Sequence, residues 1–224
     1  MTPAQIKTTV DLLGVAIVPN ILSSFEIETL LQVLGETDAG DRGVLVIPEI
    51  AQLARSPRLL ELARPHLTGE PRPVRGIYFD KTAASNWLVP WHQDLTLAVR
   101  KQVNFDGFGA WSVRDGVPHV QAPAKLLEQM ITIRLHLDDS DESNGALRVL
   151  MGSHRFGRVP GDQIRGLSKE CPELVCRVNA GHALLMRPLL LHCSSRSNDN
   201  RHRRVLAIEY AGFDLPQPLQ WHEA

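Results

Sequence analysis

The sequence predicts a mainly β fold with helical support, a jelly-roll barrel, and two observations carry that expectation. From Val74 onward, short runs rich in Val, Ile, Leu and Thr are separated by clusters of Gly, Pro, Asn and Asp, the pattern of many short strands joined by turns. Before Val74 the apolar residues recur at helical spacing instead. A chain of 224 residues is long enough to bury one substantial core. One domain over 1–224 is expected, with a helical preface over about 1–70 and the barrel over about 71–214.

Taken in order, Thr2-Pro3 starts a first helix, since proline suits the first helical position. "SSFEIETLLQVLGE" carries a Ser23…Glu26 capping-box pattern ahead of apolar residues at helical spacing, which marks a second. "SPRLLELARPHL" predicts a third. Eight strands are expected near 74–81, 87–98, 131–138, 146–150, 173–178, 182–186, 189–194 and 203–211. The strand "ITIRLHLDD" places Ile131, Ile133, Leu135 and Leu137 on one face and Thr132, Arg134, His136 and Asp138 on the other. The apolar face suits packing on the helices; the polar face looks either at water or into a liganded cavity. The stretch Arg100–Lys125 is read as a long connection, and a loop of that length reads as a lid or binding loop. Its Trp111, His119 and Gln121 are the candidate substrate contacts, together with Lys81 on the first strand.

Twenty-four Lys and Arg stand against 25 Asp and Glu, so the formal charge is -1 and no global basic field favours nucleic acid. A small-molecule partner is the expectation. The N-terminus lacks the basic start and continuous apolar core of a signal peptide. The run "HALLMRPLLLHC" is too short and too interrupted to span a membrane. Cys171, Cys176 and Cys193 are odd in number and fit no zinc-ribbon spacing, which suits a reducing cytoplasm. Oligomeric state is not legible.

The chemistry begins at "WLVPWHQD", where His92 and Asp94 stand two apart in an apolar, aromatic run. On a strand they share a face while Gln93 takes the other. A second histidine, His192, ends the later β run "LLLHCSSRS", where a returning barrel strand can bring it beside the pair. Two imidazoles and a carboxylate on one face of a metal, with the other positions open, are the arrangement of non-heme Fe(II) oxygenases. The same donor types make catalytic zinc sites, so a zinc-dependent hydrolase and a non-catalytic cupin-like binding protein remain alternatives at this point. An anionic cosubstrate needs a cation, and "NDNRHRRVLAIEY" offers Arg201, Arg203 and Arg204 at the opening of the last strand. By alternation Arg203, Val205 and Ala207 share one face, and Arg204, Leu206, Ile208 and Tyr210 the other.

These residues give a resemblance. "WHQD", the block "LHLDDSDESNGALRVLMGSHR" over 135–155, and His192 followed eleven residues later by Arg203 are similar to the phytanoyl-CoA dioxygenase family of Fe(II)- and 2-oxoglutarate-dependent oxygenases. The resemblance implies a double-stranded β-helix (jelly-roll, cupin-like) barrel. It further implies that His92, Asp94 and His192 hold Fe(II), that Arg203 meets the distal carboxylate of 2-oxoglutarate, and that Ser194 and Arg134 also contact this cosubstrate. With O2 as second cosubstrate, the implied outcome is hydroxylation of a C–H bond of a small metabolite, with release of succinate and CO2. Related halogenases carry a small residue in place of the carboxylate, so Asp94 points to hydroxylation rather than halogenation.

Other patterns fall away. A calcium loop starting at Asp139 would need glutamate at its twelfth position, where Leu150 stands. We read "DDSDESNG" as an acidic turn reversed at Asn144-Gly145. There is no G-x-S-x-G elbow and no complete dinucleotide loop. His66, His182, His202 and His222 are read as surface or structural.

Overall fold

A computed structural model describes residues 1–37 and 40–224. The helical preface consists of α1 (Pro3–Leu13), α2 (Ser24–Leu34), α3 (Pro48–Ala54) and α4 (Pro57–Ala63), with β1 (Val15–Val18) and the two-residue β2 (Asp41–Arg42) between them. The expected Ser23 capping box forms, and Thr2 makes a second: the Thr2 and Ser23 hydroxyls accept from the backbone N–H of Gln5 and Glu26, whose side chains accept from the cap backbone. The strands that follow are β3 (Arg72–Lys81), β4 (Val89–His92), β5 (Thr96–Ala98), β6 (Gly109–Arg114), β7 (Val117–Gln121), β8 (Met130–His136), β9 (Leu147–Leu150), β10 (Glu173–Val175), β11 (Ala183–Met186), β12 (His192–Ser194) and β13 (Arg203–Ala211). Two short helices, α5 (Ala124–Leu127) and α6 (Ile164–Glu170), interrupt them. Among the described residues no helix is long and apolar enough to cross a membrane.

Among the described residues all strand pairing is antiparallel, and the strands form three sheets. A six-stranded sheet runs β1-β11-β8-β13-β3-β2, a four-stranded sheet runs β10-β9-β12-β4, and a three-stranded sheet runs β5-β7-β6. The fold is mainly β with helical support, as expected, built as facing sheets. Ile131, Ile133, Leu135 and Leu137 join the helices and Leu206, Ile208 and Tyr210 in one apolar cluster, so α1 to α4 cover the outer face of the six-stranded sheet. Each fully buried Ile or Leu there contributes roughly 1.5–3 kcal/mol relative to leaving it in water. Val15, Leu184 and Met186 of that sheet pack with Leu147 and Val149 of the four-stranded one, closing one end of the space between them. The other end stays open and polar.

Three expectations need correction. The strand expected over 87–98 breaks after His92, so β4 and β5 belong to different sheets. Residues 189–191 precede β12 as a turn rather than extending it. Half of Arg100–Lys125 is a hairpin, not a loop: Asp115 and Gly116 take φ 51° and 78°, the two left-handed residues of a type I′ turn between β6 and β7. "RDGV" carries that signal, and the mostly exposed, non-alternating β6 conceals the strand on its N-terminal side.

Candidate metal centre

His92 and His192 are direct cross-strand partners in the β4–β12 pair, and their ring centroids lie 4.1 Å apart. Asp94 stands just beyond the end of β4, where its backbone N–H donates to the Pro188 carbonyl at 2.9 Å. One carboxylate oxygen is 3.9 Å from His92 Nε2 and the other 3.7 Å from His192 Nε2. Two ligands on one ion, each bonded at about 2 Å, span up to about 4 Å, so this spacing suits a shared metal. The three side chains form the cluster of metal-binding type found among the described residues.

The orientation of both rings is set by their own strands. His92 Nδ1 lies 2.9 Å from the Pro90 carbonyl and His192 Nδ1 2.8 Å from the Leu190 carbonyl. A carbonyl only accepts, so each Nδ1 carries the proton and each Nε2 lone pair faces the cluster. Burial, against the pull of Asp94, pushes His192 down to about 4, so its imidazole is neutral at physiological pH. For Asp94 burial opposes the charge, yet His192, His92, Arg75 and Arg134 hold its carboxyl below the ordinary value. Two imidazole nitrogens and one carboxylate are a donor set that a divalent Fe or Zn ion fits.

Gln93, between the two ligands, faces the opposite way and is buried. Its amide donates to the carbonyls of Gly157 and Leu189 at 2.8 and 2.6 Å, and its carbonyl accepts from Val159 N–H at 2.8 Å. That side chain pins the strand end whose flanking residues make the cluster. Sequence reasoning gave Gln93 only a direction; the anchoring partners are more than 60 residues away and no local pattern marks them.

The cluster opens into a cavity of about 460 Å³ between the two large sheets. Thr132 and Arg134 of β8, and Arg203, Ala207 and Glu209 of β13, line it, so the first half of the polar face of "ITIRLHLDD" looks into the cavity rather than at water. Arg134 and Arg203 are buried, and among the described residues neither Nε has a hydrogen-bond partner. Burial first, and Arg134 second, push Arg203 down to about 9, which still leaves it charged at neutral pH. The neighbouring arginines differ: Arg201 is paired with Asp141 and Asp199, and Arg204 with Asp138. An uncompensated, buried guanidinium fork fits a carboxylate.

Lys81 is fully buried rather than exposed. It donates to the Ser195 carbonyl at 2.6 Å and to Ser194 Oγ at 3.3 Å, and lies over the Trp87 ring. Burial, aided by Arg203, lowers it to about 7. Gly145 makes room for this arrangement: a Cβ there would stand 2.6 Å from the Ser195 carbonyl and 3.3 Å from Lys81 Nζ. Ser194 also lines the cavity, as does Gln121 on β7. Trp111 packs partly buried against a second apolar cluster with Leu97, Val99 and Trp221. His119 is buried in β7 with Nδ1 against the Val117 carbonyl at 2.9 Å. Neither Trp111 nor His119 lines the cavity. Arg75, Arg114 and Arg42 do, and no motif marked them in the sequence.

The same fold occurs in enzymes of known structure. EctD from S. alaskensis, solved with 2-oxoglutarate and 5-hydroxyectoine, superposes with a TM-score of 0.74 at 18% identity, over 100% of this chain and 83% of that one. HygX from Streptomyces hygroscopicus, solved with iron bound, gives 0.67 at 20% identity over 94% and 86% of the two chains. SnoN, a non-heme alpha ketoglutarate dependent epimerase from nogalamycin biosynthesis, gives 0.71 at 16% identity over 93% and 80%. No curated protein sequence matches this one. The family model described as phytanoyl-CoA dioxygenase (PhyH) matches residues 33–205, well over half of the sequence, and the chain belongs to that family.

Proposed function

We propose that the protein is a non-heme Fe(II)- and 2-oxoglutarate-dependent dioxygenase that hydroxylates a C–H bond of a small metabolite. The observation that carries this reading is the placement of His92, Asp94 and His192 around one point, in a cavity that also holds the uncompensated Arg203. Family membership supports oxygenase chemistry, and the solved structures with iron, nickel or 2-oxoglutarate share this fold.

In this reading His92 Nε2, Asp94 and His192 Nε2 hold the iron, and each Nδ1–H is spent on a backbone carbonyl so that the ring cannot turn away. When bound, iron couples the oxidative decarboxylation of 2-oxoglutarate by O2 to oxidation of a substrate C–H bond, leaving succinate and CO2. Arg203 receives the distal carboxylate of 2-oxoglutarate, with Ser194 beside it and Arg134 further along the wall. Lys81 holds Ser194 and the Ser195 carbonyl in place. Gln121 faces the cavity and serves the substrate, and the hairpin of β6 and β7 that carries it keeps water from the centre.

Anaerobic addition of Fe(II) and 2-oxoglutarate should give a weak visible charge-transfer band, which a zinc hydrolase or a non-catalytic cupin-like protein would not show. Asp94→Ala should abolish the band and weaken Fe(II) binding. A band of wild-type strength in Asp94→Ala, or none in the wild type, overturns the reading; succinate release across a metabolite panel then tests turnover.

A further inference from the structure

Arginine is unevenly balanced in this cavity. Five arginines line it against two carboxylates, Asp94 and Glu209. An Fe(II) dication and a 2-oxoglutarate dianion cancel one another, so loading the site as proposed above leaves the positive excess in place. The excess is also divided in space. Arg203 and Glu209 are six residues apart on β13, roughly 20 Å at about 3.3 Å per residue. Glu209 is the cross-strand partner of Arg75, whose guanidinium donates to it at 3.1 Å, and Arg42 of β2 sits opposite Ile77, two residues along from Arg75.

We propose that this second basic pole, formed by Arg42, Arg75 and Arg114, binds an anionic group of the substrate, so that the substrate is a small molecule bearing a carboxylate or a phosphate- or sulfate-type oxyanion. Arg114 is the central observation. It ends β6 at the turn of the hairpin, lines the cavity at its exposed mouth, and among the described residues has no carboxylate partner. Burial, then Arg75 and Arg42, press its guanidinium below the ordinary value, and only Asp94 acts the other way. Arg42 is tied through one nitrogen to Asp115 at the hairpin turn, 2.7 Å away, next in sequence to Arg114, and its charge acts on Arg114. Arg75 donates to Glu209 at 3.1 Å and also faces Glu223, so it is the balanced member of the three. Arg114 is thus the member of this pole without a carboxylate among the described residues, and a ligand oxyanion that accepts from it and from Arg42 supplies the missing charge.

This inference rests on the assignment of Arg203 to 2-oxoglutarate, and the test separates the two. Protein loaded with Mn(II) and 2-oxoglutarate is titrated by calorimetry with sulfate and, separately, with acetate, as wild type, as Arg42→Ala/Arg114→Ala and as Arg203→Ala. One saturable anion per chain is expected in the wild type, with affinity lowered ten-fold or more in the double variant and unchanged Mn(II) and 2-oxoglutarate affinities. Tighter sulfate than acetate assigns a tetrahedral oxyanion, and the reverse a carboxylate. Arg203→Ala should weaken 2-oxoglutarate and spare the added anion. No saturable binding of either anion, equal affinity in the double variant, or loss of the anion only in Arg203→Ala overturns the proposal. Failure of Mn(II) and 2-oxoglutarate to bind the wild type defeats the dioxygenase reading instead; sulfate titrated into metal-free protein then still reports on the second pole.

Discussion

Arg201, Arg203 and Arg204 differ in what faces them, and that difference decides their value. Arg201 and Arg204 already have carboxylates, while Arg203 is 3% exposed and without one. A charge-assisted hydrogen bond to a ligand carboxylate is worth on the order of 1.5–3 kcal/mol net. Arg203→Ala should therefore raise the 2-oxoglutarate requirement by roughly ten-fold to more than a hundred-fold, since each 1.4 kcal/mol is a factor of ten. Arg201→Ala and Arg204→Ala should change it little. Steady-state kinetics in 2-oxoglutarate across the three variants checks the assignment, and a dominant effect at Arg201 or Arg204 would show the wrong arginine had been chosen. Period-two alternation along the last strand put Arg203 and Arg204 on opposite faces; the choice of Arg203 among them came from the family resemblance. Lys81 was not legible: its burial follows from contacts with Ser194 and Ser195, more than a hundred residues on, which a strand pattern cannot encode.

Among the elements, the β6–β7 hairpin separates what sequence can reveal from what it hides. Its turn is announced by Asp115-Gly116, but β6 has little apolar alternation because most of it is exposed, and so the whole segment reads as a loop. Its three candidate contacts separate in space. Gln121 reaches the cavity, whereas Trp111 packs on an apolar cluster and His119 is enclosed within the sheet. Gln121→Ala is accordingly expected to impair substrate-coupled hydroxylation several-fold more than it impairs binding of 2-oxoglutarate, with succinate formed in excess of product. Measuring succinate and hydroxylated product together tests this; tight coupling in Gln121→Ala would remove the residue from the substrate wall. The strand break after His92 was also hidden, because the apolar run continues through it while Gln93 turns away to partners far along the chain.

Across the whole molecule, buried histidines set the response to acid. Burial first holds both His66 and His119 down at about 4, from an ordinary 6.5, and lowers His136 and His154 as well. The unfolded chain takes up these protons first, so their contribution is full above pH 6.5 and is lost as pH falls toward 4. Glu209, raised by burial to about 7, and Glu223, also raised by burial, work the other way, but the four histidines outnumber them. The melting temperature of metal-free protein should fall from pH 6.5 to pH 4, and less steeply in His66→Leu. Neither ring nitrogen of His66 has a partner among the described residues, so an apolar replacement of similar size gives up no hydrogen bond. Identical pH slopes for wild type and His66→Leu in thermal unfolding would refute the account. The overall architecture, mainly β behind a helical preface, was legible because it depends on periodicity. The pairing of β4 with β12 was not, and it has a consequence for synthesis. His92 and His192 share one rung of a sheet yet lie one hundred positions apart, so a chain leaving the ribosome displays His92 and Asp94 while their third partner does not yet exist. Closing so long a loop must precede the chelate. The nascent protein thus carries only two of the three fingers of a claw, and a metal ion can be gripped by all three side chains only after the chain has been made through His192.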